Sequence, residues 1–408
     1  MTSKTKYGTA NQVIVKGIDM QVSYKKLWKL LIDKNLNKTT LQGMAKINSR
    51  SMAKLGHNEE VSLSVIKKIC SVLSCDISDI MELVQDTIIP TPLEKNKRDL
   101  SNKFTFIDLF AGIGGIRLAF EANNSRCVFS SEWDENAKRT YEANHGERPV
   151  GDITTINPSD IPDFDILTGG FPCQPFSMIG KREGFNHKTQ GTLFFHIAEI
   201  LRIKKPKAFL LENVPGLLTH DKGKTFAIIM ETLDELGYSV NTTVLNSADF
   251  SVPQYRKRLY FVGFKKEYNA QFAFPKGTGK IVGIGQFVET DAEGPTISEK
   301  TQRYLFKKDD GHPEIIDENS TFPVKTLCAS YHKIQRITGT FVKGGKTGLR
   351  LLTENECKAI MGFPKDFKIP VSRTQMYHQF GNSVAVPVVT AIAKEMVSTL
   401  EKTKKSTN

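Results

Sequence analysis

Between residues 104 and 265, short apolar runs alternate with helix-periodic stretches, an order that few folds accommodate. Thr105 to Leu109, Cys127 to Ser131, Phe164 to Leu167, Ala208 to Leu211 and Leu259 to Phe264 have strand length and little polar interruption. Asn136 to Asn144, Leu193 to Ile203 and Thr225 to Leu236 repeat apolar residues at helical spacing. Strands that are apolar along their whole length are buried on both faces, and a helix is the usual crossover between parallel neighbours. The pattern predicts an α/β class, a doubly wound Rossmann-like sheet. Leu351 to Met361 and Val384 to Leu400 read as two further helices, the second able to close back on the sheet. Residues 266–350, rich in Gly, Lys, Thr and Ser, read as a smaller loop-rich domain.

The first hundred residues follow another rule. Leu27, Leu30 and Leu31, then Leu41, Met44 and Ala45, then Met52, Ala53 and Leu55 recur at helical spacing, with breaks at 35–38 and 47–49. Ser62 or Ser64 is placed to cap a fourth helix through Leu73, and Asp76 a fifth. Five small helices with a tight turn near Lys46 resemble a repressor-type helix-turn-helix domain, its recognition helix starting near Arg50. Residues 1–22 are expected to fray. Pro90, Pro92 and the charged string 94–99 make residues 87–103 a linker. The domains expected are therefore 1–86, helix-turn-helix; 104–265 with 351–400, catalytic; and 266–350.

The chain carries a formal charge of +12. Residues 1–103 hold 17 Lys and Arg against 10 Asp and Glu, a net of +7, so over half the excess lies in the first quarter. A polyanionic partner is implied. The six cysteines form no Cys-x-x-Cys pair, and no zinc pattern accompanies them, so no metal is expected. No run approaches the ~20 apolar residues of a membrane span, and the N-terminus lacks a signal core; a cytoplasmic protein without a membrane partner is expected.

Within the α/β region, Gly169-Gly170-Phe171-Pro172-Cys173-Gln174-Pro175-Phe176-Ser177 sets one cysteine between two prolines. Each proline fixes φ and lacks an N–H, so Cys173 sits on a stiff turn after a strand. A buried structural cysteine and a thiol held out for chemistry both suit this fragment. Gly112 and Gly114 follow the first strand, where main-chain N–H groups approach a ligand closely. Arg117 stands where a dinucleotide fingerprint wants its third glycine, which disfavours a nicotinamide cofactor. Glu132, at the end of the second strand, suits two ribose hydroxyls, and Trp133 offers an aromatic face for adenine.

These blocks resemble, in order, the motifs of the cytosine carbon-5 DNA methyltransferases: Phe106 to Gly115, Glu132-Trp133, Asp152, Pro172 to Ser177, Glu212-Asn213-Val214, Gln254 to Arg258 and Gln379 to Ser383. The resemblance spans about residues 104–396. It implies S-adenosyl-L-methionine as cofactor, held by Phe110, Gly112, Gly114, Glu132, Trp133, Asp152, Ile153, Pro172, Leu193, Asn382 and Ser383. It implies Cys173 as nucleophile, Glu212 against cytosine N3, and Arg256 and Arg258 as cations beside them. A target base inside double-stranded DNA must be flipped out. Ser177 and the polar stretch up to Gln190 are expected to close over DNA, although Gln190 replaces the arginine common in the family. Residues 266–350 take the place of the target-recognition region, with Ser330, Tyr331, Lys333 and Arg336 expected to reach DNA bases and Arg50 doing so in the N-terminal domain. The implied enzyme is a monomer in catalysis, the modification half of a restriction-modification system with a cognate endonuclease; outside that resemblance, the excess charge, helix-turn-helix spacing and polar linker of the N-terminal domain lead to the expectation that it represses the protein's own promoter. An RNA-directed enzyme of the same fold is the rival, disfavoured by the variable region and the fused DNA-binding-like module.

Overall fold

The computed structural model describes residues 20–34, 36–56, 59–85, 103–171, 193–292 and 294–406, which belong to two compact units, residues 1–91 and 92–408. In the first unit the five expected helices are α1 (Lys25–Asp33), α2 (Lys38–Met44), α3 (Ser49–Gly56), α4 (Leu63–Leu73) and α5 (Ile77–Ile80). Their apolar stripes converge on Leu27, Leu31, Leu41, Leu55, Ile66, Ile69 and Leu73, all buried. Asn37 caps α2, its Oδ1 accepting from Thr40 N–H at 2.8 Å, and Asp76 closes a capping box on α5. Lys46, at φ 46°, makes the sharp break between α2 and α3, and Arg50 is exposed on α3. Residues 20–22 do not fray. They belong to β1 (Met20–Ser23), which pairs antiparallel with β2 (Glu82–Gln85), so backbone groups distant in sequence satisfy each other where no periodicity signalled a strand. The expected linker lies, apart from Lys103, outside the described residues.

The second unit is built on a six-stranded sheet in the order β4-β3-β5-β6-β8-β7. Its strands are β3 (Phe104–Leu109), β4 (Ser125–Ser131), β5 (Ile166–Gly170), β6 (Ala208–Asn213), β7 (Tyr238–Asn246) and β8 (Lys257–Lys265). The first four run parallel, while β8 is antiparallel to both β6 and β7. Both faces are covered. Phe104, Phe106, Ile166, Leu210 and Val262 pack on one side with helices α6 (Gly115–Glu121) and α13 (Val386–Ser406). Ile107, Leu109, Leu167, Phe209 and Phe261 pack on the other with α8 (Leu193–Lys204) and α9 (Lys224–Glu235), while α7 (Glu135–His145) comes directly after β4. This two-sided burial is why the strands read as continuous apolar runs. The stretch Arg373–Thr403, which takes in α12 (Arg373–Asn382) and most of α13, is long and apolar enough to cross a membrane, but α13 is a core helix here, with Val389, Ile392, Ala393 and Met396 fully buried.

Residues 284–352 share a second core with the two helices C-terminal to them. Helix α10 (Glu299–Leu305) and a small sheet of β9 (Glu314–Ile316), β10 (Thr340–Lys343) and β11 (Leu349–Arg350) pack against α11 (Glu354–Met361) and α12 (Arg373–Asn382). At its centre Arg350 is buried against the Glu356 carboxylate, donating to both oxygens at 2.8 and 2.9 Å. Every donor of such a buried pair must be answered, and Arg350 also donates to Leu351 O and Glu289 O.

Candidate functional site

The carboxyl ends of β3, β4, β5 and β6 bring most of the motif residues to one edge of the sheet. After β3 the chain turns through Phe110 (φ 53°), Gly112 (φ 55°) and Gly114 (φ 86°) into α6. Left-handed backbone strains most side chains, and a Cβ at Gly114 would also overlap the His145 ring, 2.1 Å from its Nε2. Glu132 is 7% exposed; one carboxylate oxygen accepts from Gly112 N–H and the other from Asp134 N–H, each at 2.8 Å. Burial pushes this carboxyl above its ordinary range, and those main-chain donors oppose the shift. Trp133 beside it is 77% exposed. Asp152 caps the short helix that begins at Ile153, its Oδ1 accepting from Thr154, and Ile153 itself is buried. Ser383, at the end of α12, comes against the same loop: a Cβ at Gly115 would lie 2.9 Å from its Oγ. Asn382 is exposed beside it, and Leu193 opens α8, half-buried.

Arg117, standing in place of a third glycine, has a structural task. It is buried and donates to Glu121 at 2.6 Å, Glu147 at 3.1 Å and the Tyr141 hydroxyl at 3.3 Å. Near it lies Asp108, fully buried on β3, whose Oδ2 has no hydrogen-bond partner among the described residues and whose carboxyl burial pushes up to about 8. Sequence reasoning missed this residue, although an acid inside Phe-Ile-Asp-Leu-Phe was the available signal.

Glu212 lies on β6 in register with Gly170 of β5 and Tyr260 of β8. A Cβ at Gly170 would sit 3.2 Å from Glu212 Oε2, so the glycine makes room for the carboxylate. Arg258 Nε is 3.0 Å from Glu212 Oε1, with both side chains largely enclosed. Burial pushes the Glu212 carboxyl upward, while Arg258 and then Arg256 pull it back. The neighbouring Asn213 is buried and donates from Nδ2 to Phe171 O at 2.9 Å, tying the end of β6 to the chain just ahead of Pro172 and Cys173. Asn213 is thereby a positioning group, a role that its place in the motif does not reveal. Pro172, Cys173, Ser177 and Gln190 lie outside the described residues.

The two arginines part company. Arg256 is 3% exposed, and its guanidinium donates to Leu327 O at 3.1 Å, Gly381 O at 2.8 Å and Ser383 O at 2.7 Å. Burial, and next the Arg258 cation, bring its pKa down to about 10. Gln254, fully buried, adds bonds to Leu327 N–H and Ile360 O. Arg256 is thus a fastener of three chain segments, and Arg258 alone faces Glu212 directly.

Among the expected base-reading residues, two are corrected. Tyr331 is a core residue whose hydroxyl donates to Thr340 O at 2.5 Å and accepts from Leu352 N–H at 3.1 Å. Arg336 is 7% exposed and spends its guanidinium on Leu305 O, Lys308 O and Asp310. Tyr331 has no donor to spare for a base, and Arg336 has four of its five N–H groups engaged inside this region. Lys333 is exposed and Ser330 half-buried.

Residues 104–398 match the C-5 cytosine-specific DNA methylase family, and residues 26–86 match a Cro/C1-type HTH DNA-binding domain. The chain is 59% identical over 307 residues to the Type II methyltransferase M.MspI of Moraxella sp, an overlap of 75% of this chain and 73% of that protein. It is 58% identical over 306 residues to the Type II methyltransferase M.BsuFI of Bacillus subtilis, covering 74% of each. Among solved structures, S. pombe Dnmt2 methyltransferase superposes with a TM-score of 0.59 at 22% identity, over 74% of this chain and 99% of that one. A Spodoptera frugiperda DNMT2 mutant gives a TM-score of 0.59 at 23% identity, over 70% of this chain and 97% of that one. These last two share the fold.

Proposed function

Because the chain belongs to the C-5 cytosine-specific DNA methylases, a DNA cytosine-5 methyltransferase of the Type II restriction-modification kind with a helix-turn-helix domain, we propose that it methylates a flipped cytosine at one duplex sequence through Cys173 and Glu212. The supporting observation is the enclosed Glu212–Arg258 pair, 3.0 Å apart, next to the Asn213–Phe171 bond that holds the approach to Cys173.

S-adenosyl-L-methionine fits the residues gathered at this edge of the sheet. A buried Glu132 carboxylate suits two ribose hydroxyls, exposed Trp133 suits the adenine face, and the left-handed glycine loop lets main-chain N–H groups come close. Phe110, Asp152, Ile153, Pro172, Leu193, Asn382 and Ser383 complete the proposed set. When bound, this cofactor supplies the methyl group to carbon 5.

The protein's own groups do the rest. The Cys173 thiolate adds to carbon 6 of cytosine, forming a C–S bond and giving carbon 5 enamine character. Glu212, its pKa raised, holds or donates a proton at N3, which draws electron density away from carbon 6. Arg258 orients Glu212 and sets how far its pKa climbs. After carbon 5 is methylated a base removes its proton, the C–S bond breaks, and the thiolate is restored. The target base must leave the duplex for this, at a cost of a few kcal/mol.

The family's substrate class, the excess of basic residues and the Cro/C1-type domain suggest duplex DNA as sole macromolecular substrate, a cytoplasmic setting, a monomer in catalysis and a cognate endonuclease for the same site. We also infer that the N-terminal domain, with Arg50 exposed at the start of α3, represses the protein's own promoter. The central test uses duplex DNA carrying 5-fluorocytosine, whose fluorine cannot leave as a proton. Wild type should be trapped as a covalent adduct, and Cys173→Ala should form none and transfer no methyl while still binding DNA. Normal turnover by Cys173→Ala would end this mechanism.

A further inference from the structure

The bonds that remove Arg336 from base reading build something else. Its Nε donates to Leu305 O at 2.8 Å, one Nη donates to Lys308 O at 2.8 Å and the other to Asp310 Oδ2 at 2.9 Å, with a further bond to Asp310 Oδ1. These fasten the turn 335–339 to the end of α10. The turn is closed on itself by Gly339 N–H to Gln335 O at 2.9 Å and Thr338 Oγ1 to Gln335 Oε1 at 3.0 Å. Lys325 Nζ reaches Ile337 O at 3.4 Å from outside. A Cβ at Gly339 would lie 2.4 Å from the Phe341 ring, so the turn lies flat on β10.

The outward side chain of this rigid mount is apolar. Ile337 is 64% exposed. Tyr304 and Phe306, at the end of α10 to which the turn is fastened, are each 52% exposed, and Lys307 Nζ stands 4.5 Å from the Tyr304 ring centroid. Exposed Lys333 lies on the same segment as Ile337. That segment leaves the site at Leu327, whose N–H and C=O are held by Gln254 and Arg256. An exposed apolar tip amid lysines, referenced to the block that carries Arg258, complements a duplex: apolar contact for a base edge, cations for phosphates.

We propose that Ile337 is a specificity residue, making an apolar contact with a base edge in the major groove of the substrate duplex, and that Arg336 is the positioning residue that holds it there. Lys333 and Lys307 take the flanking phosphates. The inference rests on the reading of the chain as a duplex cytosine methyltransferase. Rigid mounting matters because a contact made by an already ordered turn pays no ordering entropy on binding.

The test uses the full chain, S-adenosyl-L-methionine and a pool of duplexes with a randomised window, the methylated cytosines being read by bisulfite sequencing. Wild type should yield one consensus. Ile337→Ala, an exposed substitution that leaves the fold intact, should lose about tenfold discrimination at one base pair and keep the rest, the scale of one mismatched pair. Arg336→Lys should blur the same pair, which a merely destabilised protein with lower total activity would not do. Lys333→Gln should keep the consensus and lower the salt slope of DNA binding by about one. Ile337→Ala with wild-type preference at every position would overturn the proposal, as would a loss of self-association in that variant with its consensus intact, which would give the patch to a second copy. If wild type methylates no cytosine in the pool, the functional reading itself fails and this inference with it.

Discussion

Replacing Asp108 by asparagine should change how stability depends on pH, by an amount set by the burial of one carboxyl. Asp108 is fully buried on β3, directly before the glycine loop, and its only hydrogen bond within the described residues is a long one, 3.4 Å from Thr168 Oγ1 to its Oδ1. Burial holds its pKa up to about 8 against an ordinary 3.8, with Arg117 the main opposing influence. The folded state therefore binds the proton more tightly than the unfolded chain. The resulting stability is complete below about pH 4 and is lost as pH rises toward 8, at up to ~1.4 kcal/mol per pH unit. Asp108→Asn keeps the shape and cannot ionise. From pH 5.5 to 7.5 wild type should lose about 2.5 kcal/mol relative to the variant, most of two full pH units of that slope, the remainder being cut as pH nears the folded pKa. Urea unfolding followed by circular dichroism at pH 5.5, 6.5 and 7.5, with equal m-values as a control, measures the gap. Parallel pH dependences for the two proteins would refute the reasoning, because they would mean that Asp108 is ionised at its ordinary pKa and finds a partner for Oδ2.

The site itself yields three further expected outcomes. Arg258→Gln removes the cation 3.0 Å from Glu212, so the Glu212 pKa should climb further and the corresponding limb of the pH–kcat profile should move up with it, with kcat down roughly 100-fold; an unmoved limb would deny the pairing its role. Trp133→Ala should weaken S-adenosyl-L-methionine binding by about 3- to 10-fold in calorimetry without lowering Tm, since the ring is 77% exposed, and unchanged affinity would remove it from the pocket. A chain beginning at Lys103 should keep methyl transfer but not bind the upstream region of its own gene, and Arg50→Ala in the full chain should weaken that binding selectively; equal affinity of the intact protein for that region and for random duplex would dismiss autorepression.

The parallel strands, the helices between them and the helix-turn-helix spacing were legible in the sequence, because each depends on a local period that burial imposes residue by residue. Glu132, Trp133, Glu212 and Arg258 were singled out for another reason: each stands at or beside a strand end, in a short block that resembles a family motif. Tertiary structure alone placed the antiparallel β8 between β6 and β7, and paired β1 with β2, since strand order is a matter of which distant backbones meet. It also separated residues that look alike in one dimension. Arg256 and Arg258 flank Lys257 at the start of β8, yet carbonyls at 327, 381 and 383 claim the first and leave the second to Glu212. Arg336 and Lys333 are equally basic, but Asp310 and two carbonyls enclose the arginine while the lysine stays in solvent. Residue type and spacing state what a side chain is able to donate or accept; only contacts between remote segments decide which of those capacities are used up inside the fold and which are left for a substrate.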